Sequence, residues 1–239
     1  EPLFLRSMEI YERTLGVDHP RVALSLKNLA MLHDQKGQLD KAIALQKRSI
    51  AINEKAYGKN HPDVADNLNN LGISLFRQAR YAEAEKFLKR SLAILEKAYG
   101  IEHQKSVSSL ANLGSIYLDL GLYDKAEIMY KRALKINEKI LGADHTDVAM
   151  NLTNLARIYF SKENYAKAKS LIKRARKINE KTLGPDHPSV ARNIRSLANI
   201  LDIEGNSKEA ESLHKVSLGI YEKAYGDNHP HVGKAYHNL

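Results

Sequence analysis

Apolar positions along this chain fall three and four residues apart, the period of one face of an α-helix. In the stretch 58–99, Val64, Leu68, Leu71, Gly72 and Leu75 make one such face. Gln78-Ala79-Arg80 interrupt it, and Ala84, Leu88, Ser91, Leu92, Leu95 and Tyr99 make a second. The other stretches break at the corresponding places: Gly37, Gly121, Glu163 and Gly205. Asp40 and Asp124 stand where a second helix begins and are its candidate N-caps. The pattern predicts helical hairpins, a helix A followed by a helix B.

A short phrase separates the hairpins and sets their period. Leu15 to Val22 reads Leu-Gly-Val-Asp-His-Pro-Arg-Val, and close copies run from Tyr57, Leu141, Leu183 and Tyr225, with a weaker one from Tyr99. Gly16, Gly58, Gly100, Gly142, Gly184 and Gly226 are spaced by 42 residues, and a fixed period in this range marks a repeat array. Glycine after helix formers reads as a left-handed C′ stop, and proline shortly afterwards fits the first turn of the next helix. Gln104 and Thr146 replace that proline, which predicts less rigid helix starts there. Residues 1–15 read as a lone helix B, the stretches 16–57, 58–99, 100–141, 142–183 and 184–225 as five repeats, and 226–239 as the start of a sixth helix A. The expected organisation is one repeat domain over 1–239.

Small residues occupy one column in each helix. Helix A carries Ala30, Gly72, Gly114, Ala156 and Ala198, and helix B carries Ala42, Ala84, Ala126, Ala168 and Ala210. Helix axes about 8–10 Å apart leave no room for more at a crossing. The order Gly114, Tyr117, Gly121, Tyr123, Ala126, Ala133 resembles a tetratricopeptide repeat. The 42-residue spacing, the Gly-x-Asp-His-Pro-x-Val-Ala joint and cores such as Leu68-Asn69-Asn70-Leu71-Gly72 resemble the kinesin light chain and nephrocystin-3 branch of that family. The resemblance implies an all-α, right-handed superhelical solenoid of antiparallel helical hairpins. It also implies a concave groove, built by the A helices, that binds a peptide segment of a partner protein.

Composition fits a soluble globular chain: 43% hydrophobic, 27% charged, no Cys and no Trp. Absence of Cys excludes disulfides and thiolate chemistry and fits a reducing, cytoplasmic location. No apolar run approaches the roughly 18 residues of a membrane span. The chain opens Glu1-Pro2 without Met, which is expected of a fragment. A net charge of +9 favours acidic partners without selecting among them.

Candidate chemistry reduces to binding. His19, His61, His103, His145, His187 and His229 lie one per repeat, so neighbours stand roughly 8–10 Å apart and cannot share an ion whose bonds to nitrogen are about 2 Å. They read as structural joints, and neither metal nor cofactor is expected. There is no phosphate loop, no Cys nucleophile and no Ser elbow, so no enzyme is expected. Asn28, Asn70, Asn112, Asn154 and Asn238 share one position of helix A, with Ser196 in the fifth repeat. Their amides can pair with any peptide backbone, as the family resemblance implies, or can fix repeat stacking by bonding a neighbouring helix. Neighbouring wall columns vary. They read Leu24, Asp66, Ser108, Met150, Arg192; then Lys27, Asn69, Ala111, Thr153, Arg195; then Met31, Ile73, Ser115, Arg157, Asn199; then Asp34, Phe76, Leu118, Phe160, Asp202. Arg157, Arg192 and Arg195 would select acidic side chains or a terminal carboxylate, Phe76 and Phe160 apolar ones, and Asn69 completes the candidate wall.

The expected function is a non-catalytic scaffold holding an acidic peptide, extended or helical. The alternatives are the repeat region of a larger signalling or cytoskeletal adaptor with no groove ligand, and anion binding through the basic helix near 167–181, where Lys167, Lys169, Lys173, Arg174, Arg176, Lys177 and Lys181 cluster. That stripe reads as a solvated face, with no nucleic acid favoured. The lone terminal helices predict weak head-to-tail self-association, with Val232, Tyr236 and Leu239 of one copy on Pro2 to Leu15 of the next; Leu3, Leu5, Met8, Ile10, Tyr11 and Leu15 supply the apolar face there.

Overall fold

The computed structural model describes residues 2–237, so Asn238 of the asparagine column and Leu239 of the last helix face lie outside the described residues. The chain divides into two compact units, 1–120 and 121–239. The first holds α1 (Pro2–Leu15), α2 (Pro20–Gln35), α3 (Leu39–Tyr57), α4 (Pro62–Arg77), α5 (Tyr81–Tyr99), a 3₁₀ turn at Gln104–Ser106 and α6 (Val107–Asp119). The second holds α7 (Tyr123–Leu141), α8 (Thr146–Ser161), α9 (Tyr165–Leu183), α10 (Pro188–Ile203), α11 (Ser207–Tyr225) and α12 (Pro230–His237). Both are all-α, and within each a helix packs chiefly on its neighbours in sequence, the contact pattern of a repeat array.

The joints work differently from the sequence reading in two respects. Each glycine has φ near 90°, but its ψ is far from left-handed helical: Gly58 sits at φ 88°, ψ 156° and Gly142 at φ 89°, ψ 158°. That region is essentially closed to side-chain-bearing residues, at a cost of order 1–3 kcal/mol. The caps are the histidines. Nδ1 of His19, His61, His103, His145, His187 and His229 accepts a hydrogen bond from the backbone N–H two residues on, at 3.1–3.2 Å. Tyr57, Tyr99 and Tyr225 stack on the following ring, with centroids 4.7, 4.8 and 4.2 Å apart. Thr146 starts α8 under the same His145 cap, whereas Gln104 opens a 3₁₀ turn. Asp40 and Asp124 do not cap. They lie in the first turns of α3 and α7, and accept hydrogen bonds from Gln78 Nε2 (2.8 Å) and Lys162 Nζ (2.6 Å).

The small-residue columns are buried at the crossings. A Cβ added to Gly72 would stand 2.6 Å from Leu88 Cγ, so α4 and α5 meet there with no slack. Leu68, Leu71, Leu75 and Leu88 around this crossing are fully buried, each worth roughly 1.5–3 kcal/mol. Hairpin turns need a left-handed residue. Gly37, Gly121 and Gly205 provide it, while Ala79 (φ 58°) and Glu163 (φ 59°) hold it against the Cβ penalty.

A buried polar layer runs beside the apolar one. Hydroxyls of Ser49, Ser91 and Ser217 donate from a B helix to the carbonyls of Ala23, Ala65 and Ala191 on the preceding A helix, at 2.8–2.9 Å. Asn67 donates to Ser49 Oγ at 3.1 Å, and Ser91 and Ser109 share a hydrogen bond at 3.0 Å. In the second unit Asn179 donates to Asn193 at 2.8 Å and Asn193 to Thr153 at 2.9 Å. Each pair removes polar groups from water only by satisfying them, and this ties one repeat to the next.

Candidate functional site

The A helices of each unit present the variable columns on one side. In the first unit part of this wall is satisfied internally. Asn69 Oδ1 accepts from Asn112 Nδ2 (3.1 Å), so the Asn112 amide ties α6 to α4. Asp34 is half-buried and pairs with Arg77 and Ser74. Phe76 packs its ring on Tyr81, centroids 5.8 Å apart. The side chains of Asn28 and Asn70 have no hydrogen-bond partner among the described residues and remain half-buried. The clefts between these helices mix signs: one of about 420 Å³ is lined by Arg21, Lys27, Asp63 and Asp66, with the apolar Leu24 beside them.

The second unit is different. A cleft of about 420 Å³ between α8 and α10 is lined by Asn154, Arg157, Phe160, Arg192, Arg195 and Asn199, along with Thr153 and Ser196, and by no carboxylate. Five of the ten wall residues expected from sequence therefore meet in one place. Arg192, Arg195 and Asn199 lie three and four residues apart, and so share a face of α10. None of the three arginines has a carboxylate partner among the described residues. Asp202, the one acid in the wall columns of this unit, bonds the buried His214 at Nε2, 3.1 Å away. Arg195 is held from behind, its guanidinium 5.8 Å from the centroid of the buried Tyr221 ring. Burial pushes the Tyr221 hydroxyl up, while Arg195 and Arg192 pull it down. Burial also pushes the His231 imidazole down, and His229, Arg195, Arg192 and Lys234 add to that direction. The region carries an uncompensated positive field.

The basic helix tells the opposite story. On α9, Lys169 pairs with Glu204 (2.8 Å), Arg174 with Glu138 (2.6 Å), Arg176 with Glu180 (2.7 Å) and Lys181 with Asp144 (2.5 Å). Lys167 rests over the Tyr159 ring at 4.1 Å. Most of the stripe is thus neutralised within the protein. No group of three or more metal-ligating side chains occurs among the described residues, and no helix is long and apolar enough to cross a membrane.

Repeated hairpins with His-capped joints point to a known family. The tetratricopeptide-repeat family model matches residues 1–55, 35–97, 105–181 and 147–223. The chain belongs to the tetratricopeptide-repeat family. Tetratricopeptide arrays are generally non-catalytic scaffolds for protein–protein interaction. A crystal structure from Podosopora anserina, described as a kinesin light chain with nearly identical TPR-like repeats, is similar at 26% identity and TM-score 0.73, covering 87% of this chain and 98% of that one. BtubC (BKLC) from P. vanneervenii is similar in fold at 22% identity and TM-score 0.79, over 96% of this chain and 92% of that one. A Rap protein complexed with Competence and Sporulation Factor shares the fold at 16% identity and TM-score 0.73, over 95% of this chain and 61% of that one. No curated protein matches the sequence.

Proposed function

We propose that this tetratricopeptide array binds an acidic peptide segment of a partner protein along its A-helix wall, with the α8–α10 cleft as the main acid-reading site. The observation that carries this is the contrast in pairing: three arginines in one cleft have no carboxylate of their own, while the cations of α9 largely do. Guanidinium groups take carboxylates in bidentate fashion, and such charge-assisted contacts are worth about 1.5–3 kcal/mol each. Asn28, Asn70 and Asn154 have amides to offer a peptide backbone, while Asn112 acts through Asn69 to hold the wall. Phe160 supplies the apolar side of the cleft, and Phe76 lends an aromatic edge to the first unit. Calorimetry with blocked acidic peptides tests the reading. Replacing Arg157, Arg192 and Arg195 together by alanine is expected to abolish measurable binding with the thermal midpoint retained. Unchanged affinity, or a preference for basic peptides, refutes it.

Copies of the chain would also meet head to tail. The supporting observation is the exposed apolar face of α1, which includes Leu3, Leu5, Ile10 and Leu15; Tyr236 is exposed on α12. Three expected contributors are already spent: Val232 is fully buried against α10 and α11 in its own unit, and Met8 and Tyr11 pack on Val22, Ala23, Leu26 and Ile52. Sedimentation over a concentration series, with Tyr236→Asp as control, decides; a monomer throughout removes this reading.

A further inference from the structure

The first unit has its own counterpart of the arginine cleft, at the same repeat positions. This cleft of about 170 Å³, between α2 and α4, is lined by Met31, Asp34, Gln46, Asn70, Ile73 and Ser74, with the exposed Gln35 beside them. Three repeats on, Arg157, Phe160, Ile172, Ser196 and Asn199 replace Met31, Asp34, Gln46, Asn70 and Ile73, and all five line the α8–α10 cleft. The chemistry is inverted between the two. Arg157 stands where the first unit has Met31, and the apolar Ile172 stands where it has Gln46.

Gln46 is only 3% exposed, yet its amide oxygen has no hydrogen-bond partner among the described residues. The neighbouring bonds fix which way that amide points. The Asp34 carboxylate can only accept, and one of its oxygens takes the Arg77 guanidinium. Its other oxygen lies 2.9 Å from Ser74 Oγ and takes the single hydroxyl proton, in preference to the neutral Asn70 carbonyl at 3.4 Å. Ser74 Oγ is then left as an acceptor toward Gln46, so the Gln46 atom 3.1 Å from it is the donor Nε2. The group without a partner is therefore the acceptor Oε1. A buried acceptor lacking a donor weakens the fold. Packing does not demand one here: the same position is Leu88 in the second repeat and Ile172 in the fourth, both buried, and His214 in the fifth is bonded to Asp202.

What this cleft lacks is a hydrogen-bond donor, and its size suits one side chain. Asp34 is the one charged residue lining it and is already paired with Arg77, so an incoming ammonium would be buried with no counter-charge of its own. A neutral donor avoids that cost. Asn70 is half-buried at the same cleft with its side chain unpartnered among the described residues, and its amide can donate as well as accept. A group that donates to Gln46 Oε1 and accepts from Asn70 Nδ2 is a primary carboxamide. Met31 and Ile73 offer apolar surface for a short aliphatic stem behind it.

We infer that the α2–α4 cleft binds a glutamine side chain of the ligand peptide, its amide N–H donated to Gln46 Oε1 and its carbonyl oxygen accepting from Asn70 Nδ2. The inference rests on the reading of the A-helix wall as a peptide site but needs none of the three arginines.

The test titrates N-acetyl-glutamine N-methylamide into the isotope-labelled whole chain at millimolar concentration, beside the same blocked forms of glutamate, lysine and leucine. The side-chain amide signals of Gln46 and Asn70 are followed by nuclear magnetic resonance. Blocked glutamine is expected to shift both signals saturably and to bind at least tenfold more tightly than the other three. Gln46→Leu, which installs the residue found at 88, should keep the thermal midpoint and bind glutamine no better than leucine. Asn70→Ala, at a half-buried position, should weaken glutamine severalfold with Gln46 still in place. The triple alanine variant at Arg157, Arg192 and Arg195 should bind blocked glutamine as the parent does. No saturable shift with glutamine, equal or tighter binding of lysine, or glutamine binding that survives both Gln46→Leu and Asn70→Ala overturns this site and leaves the acidic-peptide reading standing. If blocked glutamine binds as expected while no acidic peptide does, the glutamine site stands and the acid-reading cleft falls.

Discussion

The two units build the same wall from the same columns and fill it with opposite chemistry. Position by position, Asp66 in the first unit corresponds to Arg192 in the second, Asn69 to Arg195, Ile73 to Arg157 and Asp34 to Phe160. In the first unit the Arg77 cation is matched by Asp34, and the Asn112 amide is consumed by Asn69. In the second, three cations are left without an acid and the remaining wall acid, Asp202, is taken by His214. The scaffold residues do not vary in this way: Ala42, Ala84, Ala168 and Ala210 are all fully buried. What separates a structural cation from an available one is whether the neighbouring repeat supplies its partner.

Exchanging the walls tests that contrast most directly. Arg192→Asp gives the second unit the residue of the first. It removes one charge-assisted contact and adds a like charge, so acidic-peptide affinity measured by calorimetry should fall at least a hundredfold, about 3 kcal/mol. The reverse change, Asp66→Arg, should raise affinity severalfold; if both variants bind like the parent, the wall columns do not read charge. A scaffold change should act on stability alone. Gly72→Ala drives a methyl into Leu88 and should cost about 1–3 kcal/mol in urea unfolding, with peptide affinity in the second unit unchanged.

A third comparison concerns acid. Tyr117 donates to Glu85 at 2.9 Å in the first unit, and Tyr159 donates to Glu127 at 2.5 Å in the second, where Lys162 is added at 2.8 Å. Burial pushes the Glu127 carboxyl up, but hydrogen bonds from Lys131, Lys162 and Tyr159 outweigh it and hold the group down to about 2. A depressed carboxylate stabilises the fold above its unfolded value, near 4.3, and that contribution is lost as pH falls through the folded value. Lys162→Leu, the residue found at the equivalent position Leu120, should therefore cost about 1–2 kcal/mol at pH 7 and shrink the stability lost between pH 4.5 and 2. An unaltered acid-unfolding curve would place the stabilisation elsewhere. The smallest effect expected is a gain. Ala79→Gly and Glu163→Gly relieve a left-handed side-chain residue in each unit and should each add about 0.5–1 kcal/mol in thermal unfolding.

Much of this was readable from periodicity. Glycine and His-Pro marked where helices stop and start, because both act through local backbone geometry. The alanine columns marked the crossings, because only small side chains fit there. Three things were not readable. The A helices are capped by the histidine ring, which works only if its rotamer turns back on its own chain, while Asp40 and Asp124, the candidates for the B helices, fall inside the first turn and leave α3 and α7 without a side-chain cap. The two buried polar columns, Ser49, Ser91 and Ser217 on the B helices and Asn67, Ser109, Asn151 and Asn193 on the A helices, look like surface by residue type, although each follows the 42-residue step, the first with alanine at 133 and 175, and that step was the available signal. The pairing of Arg77 with Asp34 joins residues far apart in sequence, and depends on side-chain reach that no spacing rule gives. Without it, Arg77 and Arg157 could not have been told apart as spent and free.

The serine layer has a consequence for how such a chain can change length. Ser91 meets Ser109 across α5 and α6, and Ser49 meets Asn67 across α3 and α4. Excising 58–99 joins Tyr57 to Gly100 and brings Ser49 opposite Ser109, so the lost hydroxyl pair is rebuilt from two residues that never touched before. The seam is chemically self-healing: a tyrosine or leucine, a glycine and a His cap stand at every joint where a cut is made in phase. A gene carrying this repeat can thus gain or lose whole steps by unequal recombination and still encode a chain that folds, whereas a cut out of phase by one residue strands a buried hydroxyl at every later contact it shifts.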